Sequence, residues 1–248
     1  TGPGGRVVEE DVRKYAAQKS AATPPPAPVP VGMPKASSTT PLAGIRKRIA
    51  DHMRGGLAAT AQLTFNLELD VTDAQQMRKE HTDGSEVTVS IAHVLMKACG
   101  EALKRHPQLN TVLVSGEVSY FDEINIGVAV ALREGLIVPV VKQVDGKSIA
   151  DISKETTELA DKARNGSLLP DELAGGTFTI SVLGTVDAFT PILNAGQSAI
   201  MGVGRSLEKP VVRRGKVVVR EMMTLSLTVD HQVIDGAVAA EFMRRLKQ

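Results

Sequence analysis

Between residues 42 and 248 the apolar positions of the chain fall into two periods. Leu63, Phe65, Leu67, Leu69 and Val71 alternate with polar residues, and Met223, Leu225, Leu227 and Val229 alternate with Thr224, Ser226 and Thr228. That is the period of a strand with one buried face. Ile45, Ile49, Met53 and Leu57 recur at helical spacing and predict a helix, broken or bent at Gly55-Gly56. Further helices are expected over Asp73 to Glu80, over Val89 to Arg105 with His106-Pro107 closing it, and through Ile149, Ile152, Leu159 and Ala163 to Gly166. Ala239, Phe242, Met243 and Leu246 mark a last one. Thr111 to Phe121 reads as a hairpin around Ser115-Gly116. Strands are expected at Ile124 to Leu132, Leu136 to Val141, Thr177 to Leu183, Ala199 to Val203, and Val211 to Arg220 around Arg214-Gly215. The order of elements predicts an α+β fold, a mixed β-sheet with helices packed on one face.

The front of the chain has neither period. Residues 19–40 are rich in Ala, Pro, Ser and Thr, with Pro24-Pro25-Pro26 and Pro28, Pro30 and Pro34, the composition of an extended, semi-rigid linker. Residues 1–18 are too few to bury a core of their own. Their Gly2-Pro3-Gly4-Gly5-Arg6 matches no phosphate-loop fingerprint. Residues 41–248 suit one domain.

Composition narrows the function classes. The formal net charge is +1 with both signs interspersed, so the reading is no nucleic acid as partner. No stretch reaches the roughly 18 apolar residues of a membrane span, so no membrane is expected either, and no signal peptide is visible; a cytoplasmic location is favoured over a mitochondrial matrix. The single cysteine, Cys99, lies in a helical apolar stripe and is read as a core thiol, so neither a disulfide nor a metal site is expected.

The candidate chemistry lies at the end of the last strand pattern. His231-Gln232-Val233-Ile234-Asp235-Gly236 reads H-x-x-x-D-G, with His231 at a strand end and Asp235 at a helix start. A histidine near neutrality is the usual base for a thiol or hydroxyl, and a carboxylate four residues on can fold back to hold its ring or its loop. His52, His81, His93 and His106 sit in patterns that read as structural.

These residues resemble those of a known family. His231 to Gly236, Gly175 to Gly184 (GGTFTISVLG), Ile126-Gly127-Val128-Ala129 followed by Gly135-Leu136-Ile137-Val138-Pro139, Ala199 to Gly204 (AIMGVG) and Ile45 to Ala50 together resemble the catalytic core of the dihydrolipoamide acyltransferases, central components of 2-oxo acid dehydrogenase complexes. The resemblance covers nearly everything from about Pro41 onward. It implies a chloramphenicol acetyltransferase-like fold and transfer of an acyl group between a dihydrolipoamide arm and coenzyme A, with acetyl as the default acyl group. It also implies roles: His231 as general base, Ser181 as donor to the oxyanion, Asp235 ordering the histidine loop, and Arg78, Ser90, Gly204 and Ser206 in contact with coenzyme A.

Residues 1–18 resemble the closing part of the family's peripheral-subunit-binding domain. The partners implied are two further copies in a homotrimer, itself the unit of a 24- or 60-subunit cage, with a decarboxylase and a dihydrolipoamide dehydrogenase. Lipoamide would ride on a lipoyl domain outside this segment, because Asp161-Lys162-Ala163, similar to the lipoate-bearing turn, falls inside a helical stripe. The chain departs from the family pattern at Gln232, where many members have Arg, at Val182, where many have Asn, and at Ala131, where an acidic residue is common. The loss of the arginine implies loss of a charge partner near Asp235. The chain also stops at Lys247-Gln248, where the family often continues with an apolar tail linking trimers. Two other classes stay open at this point: an inactive scaffold that only anchors partner enzymes, and a stand-alone small-molecule acetyltransferase of the chloramphenicol type.

Overall fold

The computed structural model describes residues 32–83, 87–133 and 135–247, together with Glu9 and Arg13. The expected fragment of a binding domain at residues 1–18 lies outside the described residues apart from those two, and of the linker only residues 32–40 are described; they are exposed and form no helix or strand. The folded unit begins at Leu42.

Its elements are α1 (Gly44–Ala59), β1 (Gln62–Asp70), α2 (Thr72–Thr82), α3 (Ile91–Leu103), β2 (Thr111–Val114), β3 (Glu117–Tyr120), β4 (Ile126–Val128), β5 (Val130–Leu132), β6 (Gly135–Ile137), β7 (Val140–Val141), α4 (Ile149–Asn165), β8 (Phe178–Val182), β9 (Ala199–Arg213), β10 (Lys216–Asp230) and α5 (Gly236–Leu246). Six strands form one mixed sheet in the order β1-β10-β9-β8-β4-β7. The pairs β4-β8 and β8-β9 are parallel, and the others are antiparallel. Leu69, Met223, Leu225, Leu227, Val229, Met201, Val203, Phe178 and Ile180 carry the alternation of β1, β10, β9 and β8 into one buried face. Against that face α3 brings Leu95, Met96 and Cys99, α4 brings Ile152 and Leu159, and α5 brings Ala239, Phe242 and Met243. Phe242 joins two sides of this core, its ring 6.0 Å from Phe178 and edge-on to His106 at 5.9 Å.

Local chemistry sets the helix ends. Ser148 and Asp151 form a reciprocal capping box at the start of α4, and Gly166 at φ 68 takes the left-handed turn that stops it. At α3 the box is made by Ser90 and His93, whose Nδ1 accepts from the Ser90 amide at 3.1 Å.

Several expectations are corrected: the strands expected at Ile124 to Leu132 and Leu136 to Val141 are each divided, into β4 and β5 and into β6 and β7, with β5 and β6 forming a hairpin apart from the main sheet. Gly55-Gly56 does not break α1, which runs unbroken to Ala59. Gly56 serves close approach instead, since a Cβ there would lie 3.3 Å from the Leu193 carbonyl oxygen. The two strands expected around Ala199 and Val211 are one, and β10 likewise runs unbroken from Lys216 to Asp230. Ahead of Met222, β10 has no strand partner but β9 among the described residues, so the two project as a ribbon past the end of β1.

Asp70 ties that ribbon down. Its Oδ2 accepts from Arg213 at 2.6 Å and Arg220 at 2.8 Å, and its Oδ1 from the Thr72 hydroxyl at 2.7 Å. Burial opposes its ionisation, but these donors outweigh it and hold the carboxyl far below the usual range. A depressed carboxylate contributes stability that is present above the unfolded-state value, about 4, and lost as pH falls toward the folded value. Asp70→Asn is therefore expected to cost about 2 kcal/mol at neutral pH, the scale of hydrogen bonds to charged groups. Denaturant titrations should show the gap from wild type narrowing below about pH 4. A gap as wide at pH 3 as at pH 7 would remove Asp70 from this role.

Candidate active site

His231 follows directly on β10, and its backbone is fixed from both sides. Its amide donates to the Ala61 carbonyl at 2.8 Å, extending the β1–β10 ladder by one step. The amides of Val233 and Ile234 turn back to the Asp230 carbonyl at 3.0 and 2.9 Å, closing a tight turn before α5. The ring itself is 47% exposed and makes no hydrogen bond among the described residues. A base that must take a proton from an incoming thiol needs that combination of a rigid stem and a free nitrogen.

Asp235 begins α5 without capping it. Its Oδ1 stands 4.0 Å from His231 Nδ1, beyond hydrogen-bond reach, and its side chain is 85% exposed. The loop is held within one chain by Asp230 and Gln232 instead. Asp230, 1% exposed, accepts through Oδ1 from the amides of Ala61 at 3.1 Å and Gln232 at 3.0 Å. Gln232 Nε2 lies 3.1 Å from both Asp230 oxygens and 2.9 Å from the Ala59 carbonyl. Gln232 thus serves Asp230, not Asp235. The sequence reading passed over Asp230, although its place in the alternation puts it on the same face as Thr228 and Ser226.

Ser181 lies near the end of β8, half-buried, its hydroxyl free of hydrogen bonds among the described residues. It faces away from the core, opposite the side taken by Ile180. In register it belongs to the row Ser181, Gly202, Ser226, Asn66 across β8, β9, β10 and β1. His231 lies five residues further along β10 than Ser226 and two strands away from Ser181. Strand geometry puts the two side chains roughly 17–20 Å apart. One chain therefore does not bring its own His231 and Ser181 together.

Of the four residues expected to contact coenzyme A, the fold gathers Arg78 and Ser206 through Gln75. Arg78 Nε donates to Gln75 Oε1 at 2.7 Å, and Gln75 Nε2 donates to Ser206 Oγ at 3.1 Å and Glu221 Oε1 at 2.5 Å. Arg78 also reaches the Val89 carbonyl at 3.5 Å, next to Ser90. Ser206 Oγ donates to Glu221 at 2.6 Å, so its hydrogen is committed within the chain. Gly204 sits at a bulge in β9, where the loop over that strand passes so close that a Cβ would fall 2.0 Å from the Asp187 oxygen. Its packing alone requires glycine. Ala131 lies in the β5–β6 hairpin.

Two cavities flank α1. The larger, about 930 Å³, lies by Ile49, Met53, Gly127, Leu136, Gly176 and Gln197 and includes neither His231 nor Ser181. The smaller, about 420 Å³, is bordered by Gly56, Thr60, Val118, Gly196, Asp230 and Gln232, beside the histidine turn.

Most of the remaining nucleophiles and bases are occupied, with the exposed His52 as the exception. Burial pushes the Cys99 thiol up to about 12, leaving it protonated in the core. Burial lowers His93, which is used as a cap, and His106, where it acts together with the charges of Arg245 and Arg244 against that of Glu241. His81 Nδ1 lies 2.9 Å from the Met77 carbonyl, and His52 lines the larger cavity. Among the described residues no cluster could hold a metal ion, and no helix is long and apolar enough to cross a membrane.

Residues 34–248 match the family model of the 2-oxoacid dehydrogenases acyltransferase catalytic domain. The dihydrolipoyllysine-residue acetyltransferase component of the acetoin cleaving system of Bacillus subtilis is 37% identical over 253 residues, covering 100% of this chain and 62% of that protein. The mitochondrial dihydrolipoyllysine-residue succinyltransferase component of the 2-oxoglutarate dehydrogenase complex of Bos taurus is 38% identical over 244 residues, covering 95% of this chain and 54% of that protein. This chain thus spans less than two thirds of either relative.

Among solved structures, the dihydrolipoamide acetyltransferase of Azotobacter vinelandii superposes with a TM-score of 0.83 at 35% identity, covering 90% of this chain and 95% of that one; it was determined to examine a serine, a histidine and an asparagine in its catalytic mechanism. The cubic core of the pyruvate dehydrogenase multienzyme complex superposes equally well, with a TM-score of 0.83 at 34% identity over the same shares. Chloramphenicol acetyltransferase, at a TM-score of 0.50 and 16% identity over 79% of this chain and 92% of that one, shares the fold alone.

Proposed function

The chain belongs to the 2-oxoacid dehydrogenase acyltransferase family, and from that premise we propose that it moves an acyl group between the thiols of dihydrolipoamide and coenzyme A. The observation that carries the reading is a histidine fixed by its backbone at a strand end with its ring free. His231 takes the proton of the attacking thiol, and the thiolate adds to the thioester carbonyl of the other substrate. The Ser181 hydroxyl donates to the resulting oxyanion, an interaction worth about 3 kcal/mol at such sites. Collapse breaks the original carbon–sulfur bond, and the departing thiolate recovers the proton from His231. Both bonds are thioesters, so the exchange needs neither a metal nor a strong driving force.

Because His231 and Ser181 of one chain are far apart, we place the site between two copies in a homotrimer, each pairing one chain's His231 with its neighbour's Ser181. Val182, Leu183, Val186 and Ile192, on and beyond the end of β8, are exposed within one chain and would be covered in such an assembly. A trimer of this kind suits the core of a larger complex holding a decarboxylase and a dihydrolipoamide dehydrogenase, with the lipoyl arm on a domain outside this segment and the whole in the cytoplasm. Residues 1–18 would serve it as the end of a docking domain, residues 19–40 as its tether, and Arg78, Ser90, Gly204 and Ser206 as coenzyme A contacts.

Acetyl is the acyl group we propose, following the acetoin-system relative. The test is transfer from coenzyme A thioesters to free dihydrolipoamide across acetyl, succinyl and branched-chain donors. Acetyl is expected to lead in kcat/KM by at least about tenfold, the discrimination that a small change in pocket size or polarity provides. A succinyl preference would overturn the acyl assignment alone. No transfer with any donor would overturn the function and leave the inactive scaffold.

A further inference from the structure

We propose that Asp230 and Gln232 form a clamp that positions His231 by fastening both of its neighbours to the junction between α1 and β1. The inference rests on His231 being the base and deepens that reading. Its two halves interlock. Asp230 is a carboxylate closed off from water whose hydrogen-bond donors among the described residues are amides alone: the Ala61 and Gln232 backbones and the Gln232 side chain. A buried carboxylate without donors is costly, so each of these amides is held to its place by the charge it serves.

Gln232 is fixed in turn. Three acceptors surround its side-chain nitrogen, namely both Asp230 oxygens and the Ala59 carbonyl, and an oxygen in that place would face all three. The amide therefore has one orientation, which bridges the last turn of α1 to the end of β10. His231 lies between these two anchors, with its own amide bound to Ala61. A shift in either anchor moves the imidazole stem directly, and misplacement of a catalytic group by about 1 Å can cost on the order of 100-fold in rate. Gln232 is exposed, so changing it leaves the core untouched.

The test reverses the polarity of the clamp. Gln232→Glu sets a carboxylate against Asp230. The double variant Asp230→Asn with Gln232→Glu restores the amide–carboxylate pair with donor and acceptor exchanged, and the amide oxygen introduced at position 230 still receives the Ala61 and position-232 backbone amides; the Ala59 carbonyl alone stays without its donor, so the recovery is partial. Gln232→Glu is expected to lower kcat by about 30- to 100-fold with KM for coenzyme A within about threefold, and the double variant to recover at least about tenfold of the loss. Gln232→Met, which removes the amide without adding charge, should fall between them and covers the case in which Gln232→Glu fails to assemble.

Amide hydrogen exchange at His231, Val233 and Ile234 gives a readout that needs no turnover: faster in Gln232→Glu, restored in the double variant. Transfer within threefold of wild type in both single variants of Gln232, or no recovery in the double variant, overturns the clamp. Should the wild type itself fail to transfer, the proposed function falls, and the exchange rates alone decide the clamp: unchanged rates in Gln232→Glu and Gln232→Met overturn it.

Discussion

His231→Ala is expected to lower acyl transfer by at least about 100-fold, the usual minimum contribution of a positioned general base, while fold and assembly are retained. The ring is half exposed and forms no hydrogen bond among the described residues, so its removal opens no cavity and strands no buried partner. The bonds that shape the turn are made by backbone groups and by its neighbours, and alanine keeps them. No other histidine shares this turn: His93 is spent as a helix cap, His106 packs against Phe242, and the exposed His52 lines the larger cavity, which does not include His231. The measurement is kcat for transfer from acetyl-coenzyme A to dihydrolipoamide, beside the melting temperature and sedimentation of the same preparation. Transfer above about a tenth of wild type would remove His231 from the base role, because general-base catalysis contributes more than that.

How far the sequence reveals this architecture depends on how local the causes are. The strand at Leu63 and the end of β10 are legible because apolar and polar residues alternate along both, although at the end of β10 the polar face, with Ser226, Thr228 and Asp230, is as buried as the apolar one. The outer half of β10 is not legible in that way. Val217, Val218 and Val219 do not alternate, and Arg220 and Glu221 look like a strand's end until Arg220 meets Asp70 and Glu221 meets Gln75 and Ser206, partners far away in sequence. Gly55-Gly56 misleads for a related reason. Glycine is a breaker by propensity, but here it lets α1 come up to the Leu193 backbone.

The same division runs through the site. The histidine turn follows from the close sequence of strand end, H-x-x-x-D-G and helix start, all within a few residues. Its anchors do not, since Asp230 meets Ala61 and Gln232 meets Ala59 across most of the chain. Gln232 is conspicuous as a departure from the family pattern, and the resemblance links its position to Asp235, whereas the reversal of direction after β10 turns it toward Asp230.

Mixing two inactive variants should restore activity. Ser181→Ala is expected to lower kcat by about 100-fold, the effect of losing one oxyanion donor, with little change in KM. Alone, neither it nor His231→Ala retains a complete site. If each site joins the histidine of one chain to the serine of the next, a trimer containing both variants holds at least one interface where the intact His231 of a Ser181→Ala chain faces the intact Ser181 of a His231→Ala chain. With equal amounts and random assembly about a quarter of all interfaces are of this kind, so activity should return to about a quarter of wild type, far above either parent. The register makes this the expected outcome, because roughly 17–20 Å of sheet separates the two residues within a chain, whereas an oxyanion donor acts at about 3 Å. The experiment needs exchange of subunits through reversible denaturation or co-expression, with the mixed composition verified by mass spectrometry. Verified mixed trimers that stay at the level of the single variants would confine the site to one subunit. The strands would then have to rearrange to bring His231 to Ser181, and the shared site would be wrong.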